Sequence, residues 1–310
     1  MNKTAFVFPG QGSQTVGMGK DLCDASSAAK DLYKIADDIM GVSLSGISFN
    51  GPQEELKQTN ITQPALFVHS FVLTQLIGGK VKADCTAGHS LGEYTSYAYS
   101  KAMDFEQGLN LVKTRGSLMK RSGEIQPGSM AALIGLSEEQ VTAICKEAES
   151  SGIVQPANFN CPGQIVISGD IAAIDKAVEI AKGEPYKCRL AKKLEVSGAF
   201  HSELMKTSDS ELRTALLNTD IKDALIPVYT NADTLPITGK DEIRDALSRQ
   251  LVSPVRWEAL IRNMIKDGVT KFYEIGSGKV LTGLIKKIEP NAETFNISTY
   301  EDIKNLQESV

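Results

Sequence analysis

The 310-residue sequence contains few of the residues that build metal centres and disulfide frameworks. It has three histidines, and its five cysteines are odd in number, widely spaced and without a C-x-x-C pair. A histidine-rich metal centre, a zinc site of paired cysteines and a disulfide framework are therefore not expected. We expect the cysteines to be free thiols that are buried or partly buried.

Long hydrophobic runs and an excess of positive charge are also missing. No apolar run approaches the ~18 residues of a membrane helix, and the apolar stretch at 4–8 is too short for a signal peptide. The formal net charge of −5 disfavours a nucleic-acid binder that relies on general positive charge. With 42% hydrophobic and 23% charged residues, the composition is typical of a soluble globular protein. The cytoplasm is the expected compartment.

The order of the predicted strands and helices indicates an α/β protein of two domains. Short strands alternate with helices over most of the chain, which is typical of a mostly parallel sheet covered on both faces. In the middle of the chain the predicted order changes to β-α-β-β-α-β, the split unit of ferredoxin-like domains. We therefore expect a large α/β domain of residues 1–124 and 196–310, with a ferredoxin-like subdomain inserted at 125–195. One helix, predicted at 64–77, places Pro64 in its first turn, where proline is tolerated.

A predicted strand–turn–helix carries a candidate nucleophile. The turn Gly88-His89-Ser90-Leu91-Gly92 matches G-x-S-x-G, the nucleophile elbow, with a strand before it and an apolar helix after it. Glycines permit this tight turn because a Cβ at either end would clash, and the amide groups at the helix start can face a developing oxyanion. The elbow makes the expected large domain α/β-hydrolase-like. A simple strand-to-helix turn with a capping serine is the alternative.

Ser90 needs a general base, and the three histidines are the candidates. His89 is adjacent to Ser90 and should leave the turn in another direction, while His69 lies within an apolar helix. His201 remains, at the start of a helix whose positive N-terminal end favours a neutral imidazole. Elimination favours a Ser90–His201 pair, with a capping or core histidine as the alternative. No carboxylate between the two residues stands out as the third member of a triad.

Six further segments have the order and spacing of the motifs of one family. They are Phe8-Pro9-Gly10-Gln11-Gly12-Ser13-Gln14, Ile61-Thr62-Gln63-Pro64-Ala65, Arg115-Gly116, Asn158-Phe159-Asn160-Cys161-Pro162-Gly163-Gln164, Ser197-Gly198-Ala199-Phe200-His201-Ser202 and Gln250-Leu251-Val252-Ser253-Pro254-Val255-Arg256-Trp257. Together with the elbow, they resemble the malonyl-CoA:acyl carrier protein transacylases of fatty-acid synthesis and the acyltransferase domains of polyketide synthases. The resemblance covers essentially the whole chain.

The resemblance implies a catalytic role for each matched position. Ser90 would be the nucleophile and His201 its base. The backbone N–H groups of Gln11 and Leu91 would form the oxyanion hole. Gln250 would take the place of the missing acid and orient His201 through a carbonyl oxygen, without placing a negative charge near a dicarboxylic substrate.

The resemblance also implies how the acyl group is selected. Arg115 would pair with the free carboxylate of malonyl, because its planar donors match a carboxylate; on composition alone, a solvated surface arginine is the alternative. Ala199-Phe200-His201 is the form common in malonyl-selective members, and a bulky Phe200 would clash with an α-methyl branch. Gly198 departs from the polyketide form, which often has histidine there.

An acyl carrier protein is acidic, so this partner should meet a positive patch. Four basic residues precede His201 and would border the entrance to the site: Lys187, Arg189, Lys192 and Lys193. A solvated edge of the small domain is the alternative. The phosphopantetheine arm carries the acyl group, so the resemblance implies no metal, nucleotide or flavin cofactor.

The expected activity is ping-pong transfer of malonyl from malonyl-CoA to acyl carrier protein through a malonyl-serine, with neither nucleic acid nor a membrane as partner. A stand-alone acyltransferase of a polyketide or malonate pathway is the alternative within the same chemistry. A serine hydrolase would pass the acyl group to water; Arg115 and the absent triad acid argue against it. A non-catalytic binding domain is disfavoured because both Ser90 and His201 are present.

Overall fold

The described part of the chain, residues 2–196 and 198–308 of this computed structural model, contains ten β-strands and fourteen α-helices. The strands are β1 (Lys3–Phe8), β2 (Cys85–Gly88), β3 (Gly128–Ile134), β4 (Val154–Cys161), β5 (Gln164–Asp170), β6 (Leu190–Lys193), β7 (Val228–Tyr229), β8 (Pro236–Ile237), β9 (Val269–Ile275) and β10 (Glu293–Ile297). The helices are α1 (Lys20–Ala25), α2 (Ser27–Met40), α3 (Leu44–Asn50), α4 (Gln53–Leu56), α5 (Thr59–Ile77), α6 (Leu91–Tyr99), α7 (Phe105–Ile125), α8 (Glu138–Ala148), α9 (Ile171–Lys182), α10 (Asp209–Asn218), α11 (Lys240–Gln250), α12 (Trp257–Lys266), α13 (Val280–Ile288) and α14 (Tyr300–Glu308). Short 3-10 helices lie at Glu149–Ser151 and Glu203–Ser208.

The larger sheet has six strands in the order β10-β9-β1-β2-β7-β8. Its neighbouring strands are parallel, except that β7 and β8 are antiparallel. The residues of β1 alternate between two hydrophobic clusters: Phe6 and Phe8 join one, and Ala5 and Val7 join the other. A strand buried on both faces needs this continuous apolar sequence. The carboxyl ends of β1, β2 and β7 therefore meet at one edge of a sheet that is covered on both sides.

The smaller sheet has four strands in the order β4-β5-β3-β6, and all its neighbours are antiparallel. Helices α8 and α9 cover one face and form a separate hydrophobic cluster with it. Strand β4 also contacts the rest of the protein, since the Phe159 N–H donates to the carbonyl of Val255 at 2.9 Å. The chain is thus an α/β protein with a mostly parallel sheet and a separate antiparallel sheet.

Helix α5 begins earlier than the sequence predicts. The expected helix started at Pro64, but the observed one starts at Thr59 and contains the proline in its interior. Proline removes one backbone hydrogen bond there, and the buried side chains of Ile61 and Thr62 hold the additional turn against the core. As a result Gln63 lies on a helix rather than in a loop. The helix expected to begin at His201 is divided, into a 3-10 helix and α10.

Two absences hold for residues 2–196 and 198–308. None of their helices combines the length and the apolar character needed to cross a membrane. No group of three His, Cys, Asp or Glu side chains among them is arranged to hold a metal ion. The five cysteines are free thiols, four of them buried.

Candidate active site

The site lies where three neighbouring strands of the larger sheet end. Gln11 follows β1, Ser90 follows β2 and Asn231 follows β7. Parallel strands bring their carboxyl ends to the same edge, so these loops meet. A cavity of about 170 Å³ opens at this edge, and its wall includes Gln11, Ser90, Met119, Met130, Phe200 and His201.

Close backbone packing explains the two glycines of the elbow. A Cβ on Gly88 would lie 1.8 Å from the carbonyl carbon of Gly92, and one on Gly92 would lie 2.0 Å from the carbonyl oxygen of Phe8. Ser90 has φ 52° and ψ −102°, a backbone conformation that residues other than glycine rarely adopt. Its hydroxyl does not cap helix α6, unlike a simple capping serine. The tight turn presents the hydroxyl to the cavity instead.

The Ser90 hydroxyl contacts a neutral histidine of defined tautomer. Ser90 Oγ lies 2.8 Å from His201 Nε2, while His201 Nδ1 lies 3.1 Å from the main-chain carbonyl oxygens of Gln250 and Ser253. Carbonyl oxygens only accept hydrogen bonds, so Nδ1 carries the hydrogen and Nε2 faces Ser90 with its lone pair. Burial, and then the charge of Arg115, lower the pKa of His201 to about 3. The imidazole is therefore uncharged at neutral pH and can accept a proton.

Arg115 is fully buried on α7, which excludes the solvated surface arginine. Its Nη1 donates to Gln63 Oε1 at 2.7 Å, and its Nη2 donates to Ser90 Oγ at 2.9 Å and to Gln250 Oε1 at 3.0 Å. The guanidinium also lies over the ring of Tyr94, 5.4 Å from its centre. These partners are uncharged at neutral pH. A buried cation held by uncharged groups beside a nucleophile is suited to receive an anionic substrate group.

The side chain of Gln250 occupies the centre of this network. Its Nε2 donates to the Ser90 carbonyl oxygen at 2.9 Å and to Glu93 Oε2 at 2.8 Å, while its Oε1 accepts from Arg115. The Gln250 oxygen that contacts His201 is the main-chain carbonyl oxygen, and the main-chain carbonyl oxygen of Ser253 contacts the same nitrogen. Gln250 thus contacts the histidine through its backbone and the arginine through its side chain.

Two amide groups beside the nucleophile are available to an oxyanion. Within the described residues, the N–H groups of Gln11 and Leu91 have no acceptor. The loop that carries Gln11 packs directly on the elbow, because a Cβ on Gly10 would lie 2.4 Å from the carbonyl oxygen of His89. Leu91 is the first residue of α6, where a helix leaves its N–H groups unpaired.

Asn231 is part of the site, and our sequence analysis missed it. Its Oδ1 accepts from the Ser90 N–H at 2.7 Å and its Nδ2 donates to the Gly88 carbonyl at 2.6 Å. Its own N–H donates to Glu93 Oε2 at 3.1 Å. Asn231 therefore holds both sides of the elbow. The available signal was a polar residue two positions after β7, the strand that neighbours β2.

Phe200 is buried and forms part of the cavity wall. A Cβ on Gly198 would lie 3.1 Å from the Phe200 ring and 3.3 Å from the Cα of Gly123. A histidine at position 198 would therefore require its neighbours to move. Ser197 lies outside the described residues.

The other two histidines have different surroundings. His89 Nε2 lies 2.9 Å from Asn160 Oδ1, and its ring lies 5.6 Å from that of Trp257. His69 is buried within α5, away from the cavity wall. Neither contacts the hydroxyl of Ser90 in the structure.

The four basic residues of the expected patch are all exposed: Lys187, Arg189, Lys192 and Lys193. Lys187 forms an ion pair with Glu184, and Lys193 forms one with Asp175 at 2.6 Å. Arg189 and Lys192 have no ion-pair partner in the part of the chain that the structure describes. Strand β6 then continues into Leu194, which lines the cavity. The C-terminal end of β6 therefore leads to the cavity wall.

The comparison with known proteins places the chain in a family. Residues 5–301 match the family model described as acyl transferase domain, and the chain belongs to this family. It is similar to the malonyl CoA-acyl carrier protein transacylase of Bacillus subtilis, with 44% identity over 306 residues, 98% of this chain and 96% of that protein.

Solved structures agree with this assignment. The malonyl CoA-acyl carrier protein transacylase from Coxiella burnetii is similar with a TM-score of 0.94 and 36% identity, covering 98% of this chain and 96% of that one. A malonyl-transacylase in complex with a type II PKS acyl-carrier protein is similar with a TM-score of 0.94 and 36% identity, and all of both chains is covered.

Proposed function

We propose that the protein transfers a malonyl group from malonyl-CoA to the phosphopantetheine thiol of an acyl carrier protein, through a malonyl ester on Ser90. The observation that carries this proposal is the environment of one oxygen atom. Ser90 Oγ lies 2.8 Å from a neutral histidine nitrogen and 2.9 Å from a buried guanidinium. The histidine can take the proton of the hydroxyl and so make Ser90 a nucleophile. The guanidinium can bind the carboxylate of an acyl group such as malonyl. The similar proteins named above have this activity in their names.

In the first half-reaction, His201 Nε2 takes the proton of Ser90 as its oxygen attacks the thioester carbonyl. The N–H groups of Gln11 and Leu91 stabilise the oxyanion that forms. The C–S bond then breaks, and the leaving CoA sulfur takes the proton from His201. The product is malonyl-Ser90 and CoA.

In the second half-reaction, the thiol of the carrier protein replaces CoA. His201 accepts the thiol proton, the sulfur attacks the ester, and Ser90 leaves with the proton returned by His201. The carbonyl oxygens of Gln250 and Ser253 keep the imidazole in the required tautomer in both steps. They add no full negative charge near the malonyl carboxylate, unlike an aspartate in this position.

We assign Arg115 to the malonyl carboxylate, because an acyl group on Ser90 Oγ places its carboxylate only a short carbon chain from the guanidinium. Phe200 limits branching at the α-carbon. Arg189 and Lys192, the two cations of the expected patch without an ion-pair partner among the described residues, are assigned to the acidic carrier protein.

We also propose the finer description of the fold and the setting. The strand order β6-β3-β5-β4 supports a ferredoxin-like subdomain at 125–195, and the elbow at the end of β2 supports an α/β-hydrolase-like large domain of 1–124 and 196–310. Cytoplasmic fatty-acid synthesis is the proposed setting. A polyketide carrier is the second candidate, supported by the similarity to the transacylase in complex with such a carrier.

An isotope-exchange experiment tests the two-step transfer. The protein is incubated with malonyl-CoA and labelled CoA in the absence of carrier protein. Label should enter malonyl-CoA, and Ser90→Ala and His201→Ala should abolish the exchange, while Ser137→Ala, at the start of α8, should keep it. Transfer without exchange would contradict the malonyl-enzyme. Release of free malonate as fast as CoA would indicate a hydrolase instead.

A further inference from the structure

Glu93 is a buried carboxyl group that the mechanism above does not use. It lies in the first turn of α6 and is 1% exposed. Its Oε2 accepts from Gln250 Nε2 at 2.8 Å and from the Asn231 N–H at 3.1 Å, and its Oε1 accepts from the Tyr97 hydroxyl at 3.1 Å. All three partners act as donors. The surroundings are therefore built for a carboxylate, although the group is buried.

One amide group connects this carboxyl group to Arg115. Gln250 Nε2 faces Glu93 and Gln250 Oε1 faces Arg115 Nη2. A carboxylate cannot donate and a guanidinium cannot accept, so the two charges fix the orientation of the amide. When it is ionised, Glu93 thus balances the buried charge of Arg115 through a single side chain.

A malonyl group on Ser90 brings a second carboxylate to the same guanidinium. We infer that Glu93 and the malonyl carboxylate share the charge of Arg115, so that Glu93 takes up a proton when malonyl is bound and its ionisation sets the preference for malonyl over uncharged acyl groups. This inference rests on the proposed role of Arg115. Glu93 does not touch the substrate, and it acts as a positioning residue.

The ionisable groups that face Glu93 leave it as the group that titrates near neutral pH. They are Arg115 from α7, Tyr94 and Tyr97 from α6 and, beyond Tyr97, the ion pair of Asp233 with Arg249. Burial raises the pKa of Glu93 to about 7, although its hydrogen bonds and Arg115 act in the opposite direction. Burial also raises the pKa of both tyrosines, to about 12 for Tyr94, so they stay neutral. A second carboxylate near Arg115 raises the pKa of Glu93 further.

The test is the ratio of kcat/KM for malonyl-CoA to kcat/KM for acetyl-CoA, measured from about pH 5.5 to about pH 9 with one holo carrier protein. The ratio cancels the ionisation of His201 and of the carrier thiol, which both substrates share. In the wild type it should fall about tenfold as the pH rises through about 7, the change that corresponds to a shift of one pKa unit. Glu93→Gln keeps the shape of the side chain without its charge, and its ratio should stay constant at the acid value.

Glu274→Gln is the matched control. Glu274 is another buried glutamate whose pKa is raised by burial, but it accepts from the main-chain N–H groups of Leu281 and Thr282 at the start of α13. This variant should keep the wild-type pH dependence. A loss of the dependence in Glu274→Gln as well would overturn the assignment to Glu93.

A second measurement uses the wild type alone and does not depend on the folding of a variant. Near pH 7.5, in weak buffer with an indicator, acylation by malonyl-CoA should take up more protons than acylation by acetyl-CoA. Equal uptake with a pH-independent ratio would overturn the inference about Glu93. If Arg115→Ala leaves the ratio unchanged, the role of Arg115 itself is wrong; if Arg115→Ala lowers it while the ratio is independent of pH, only the role of Glu93 fails.

Discussion

Removing the guanidinium of Arg115 should change which acyl group the enzyme prefers. Arg115→Ala removes the hydrogen bonds to Gln63, Ser90 and Gln250 and leaves the malonyl carboxylate without a partner in a buried site. Breaking a buried ion pair by removing one member costs about 3–5 kcal/mol. With acetyl, the loss is limited to a charged hydrogen bond to Ser90, about 1.5–3 kcal/mol. Since 1.4 kcal/mol is a factor of ten, kcat/KM should fall about 10²- to 4 × 10³-fold with malonyl-CoA and about 10–10²-fold with acetyl-CoA.

The assay is CoA release in the presence of holo carrier protein, with each thioester at several concentrations. Arg121→Ala is the matched control, because Arg121 lies on the same helix, is about half exposed and pairs with Glu211 at the surface. It should leave both rates unchanged. Equal losses on the two thioesters in Arg115→Ala would refute the reasoning, because the arginine would then serve Ser90 rather than the substrate carboxylate.

Three further predictions concern the acyl pocket, the carrier surface and the base. Phe200→Ser should raise kcat/KM for methylmalonyl-CoA relative to malonyl-CoA at least tenfold, since one methyl group in an apolar pocket is worth about 1–3 kcal/mol; an unchanged ratio would reject a steric role. Reversing Arg189 and Lys192 to glutamate should raise the KM for carrier protein about tenfold, since exposed charge pairs contribute up to about 1 kcal/mol each, and should leave the KM for malonyl-CoA unchanged; equal increases would mean misfolding. His201, with a pKa lowered to about 3, is in its basic form at every higher pH, so kcat/KM for acetyl-CoA should show no inflection near pH 6.5, and an acid limb centred there would contradict the neutral, buried imidazole.

The elbow was predictable because its chemistry is local. Gly88 and Gly92 are needed for contacts with residues close in sequence and with β1, and the motif is framed by a strand and a helix. His201 could be identified as the candidate base by elimination, because the sequence has only three histidines. The sequence predicts a neutral imidazole from the helix N-terminus, whereas in the structure burial and Arg115 lower the pKa of His201.

The supporting network was not predictable, because it depends on which strands are neighbours. Asn231 reaches the elbow only because β7 pairs with β2, and nothing in the sequence states that pairing. Ser253 contributes a main-chain carbonyl, which leaves no signature in residue type. Glu93 lies next to the elbow in sequence, but its contact with Gln250 joins residues that are distant in sequence. Gln63 lies outside the helix predicted at 64–77, although it belongs to α5.

The central claim is that the acyl group passes through Ser90, and intact-protein mass spectrometry tests it most directly. The protein is mixed with malonyl-CoA alone, with Ser90→Ala in parallel, and holo carrier protein is then added. We predict an adduct of malonyl mass on the wild type only, which disappears as the carrier protein gains the same mass. An adduct on Ser90→Ala, or a wild-type adduct that the carrier protein cannot remove, would contradict the account.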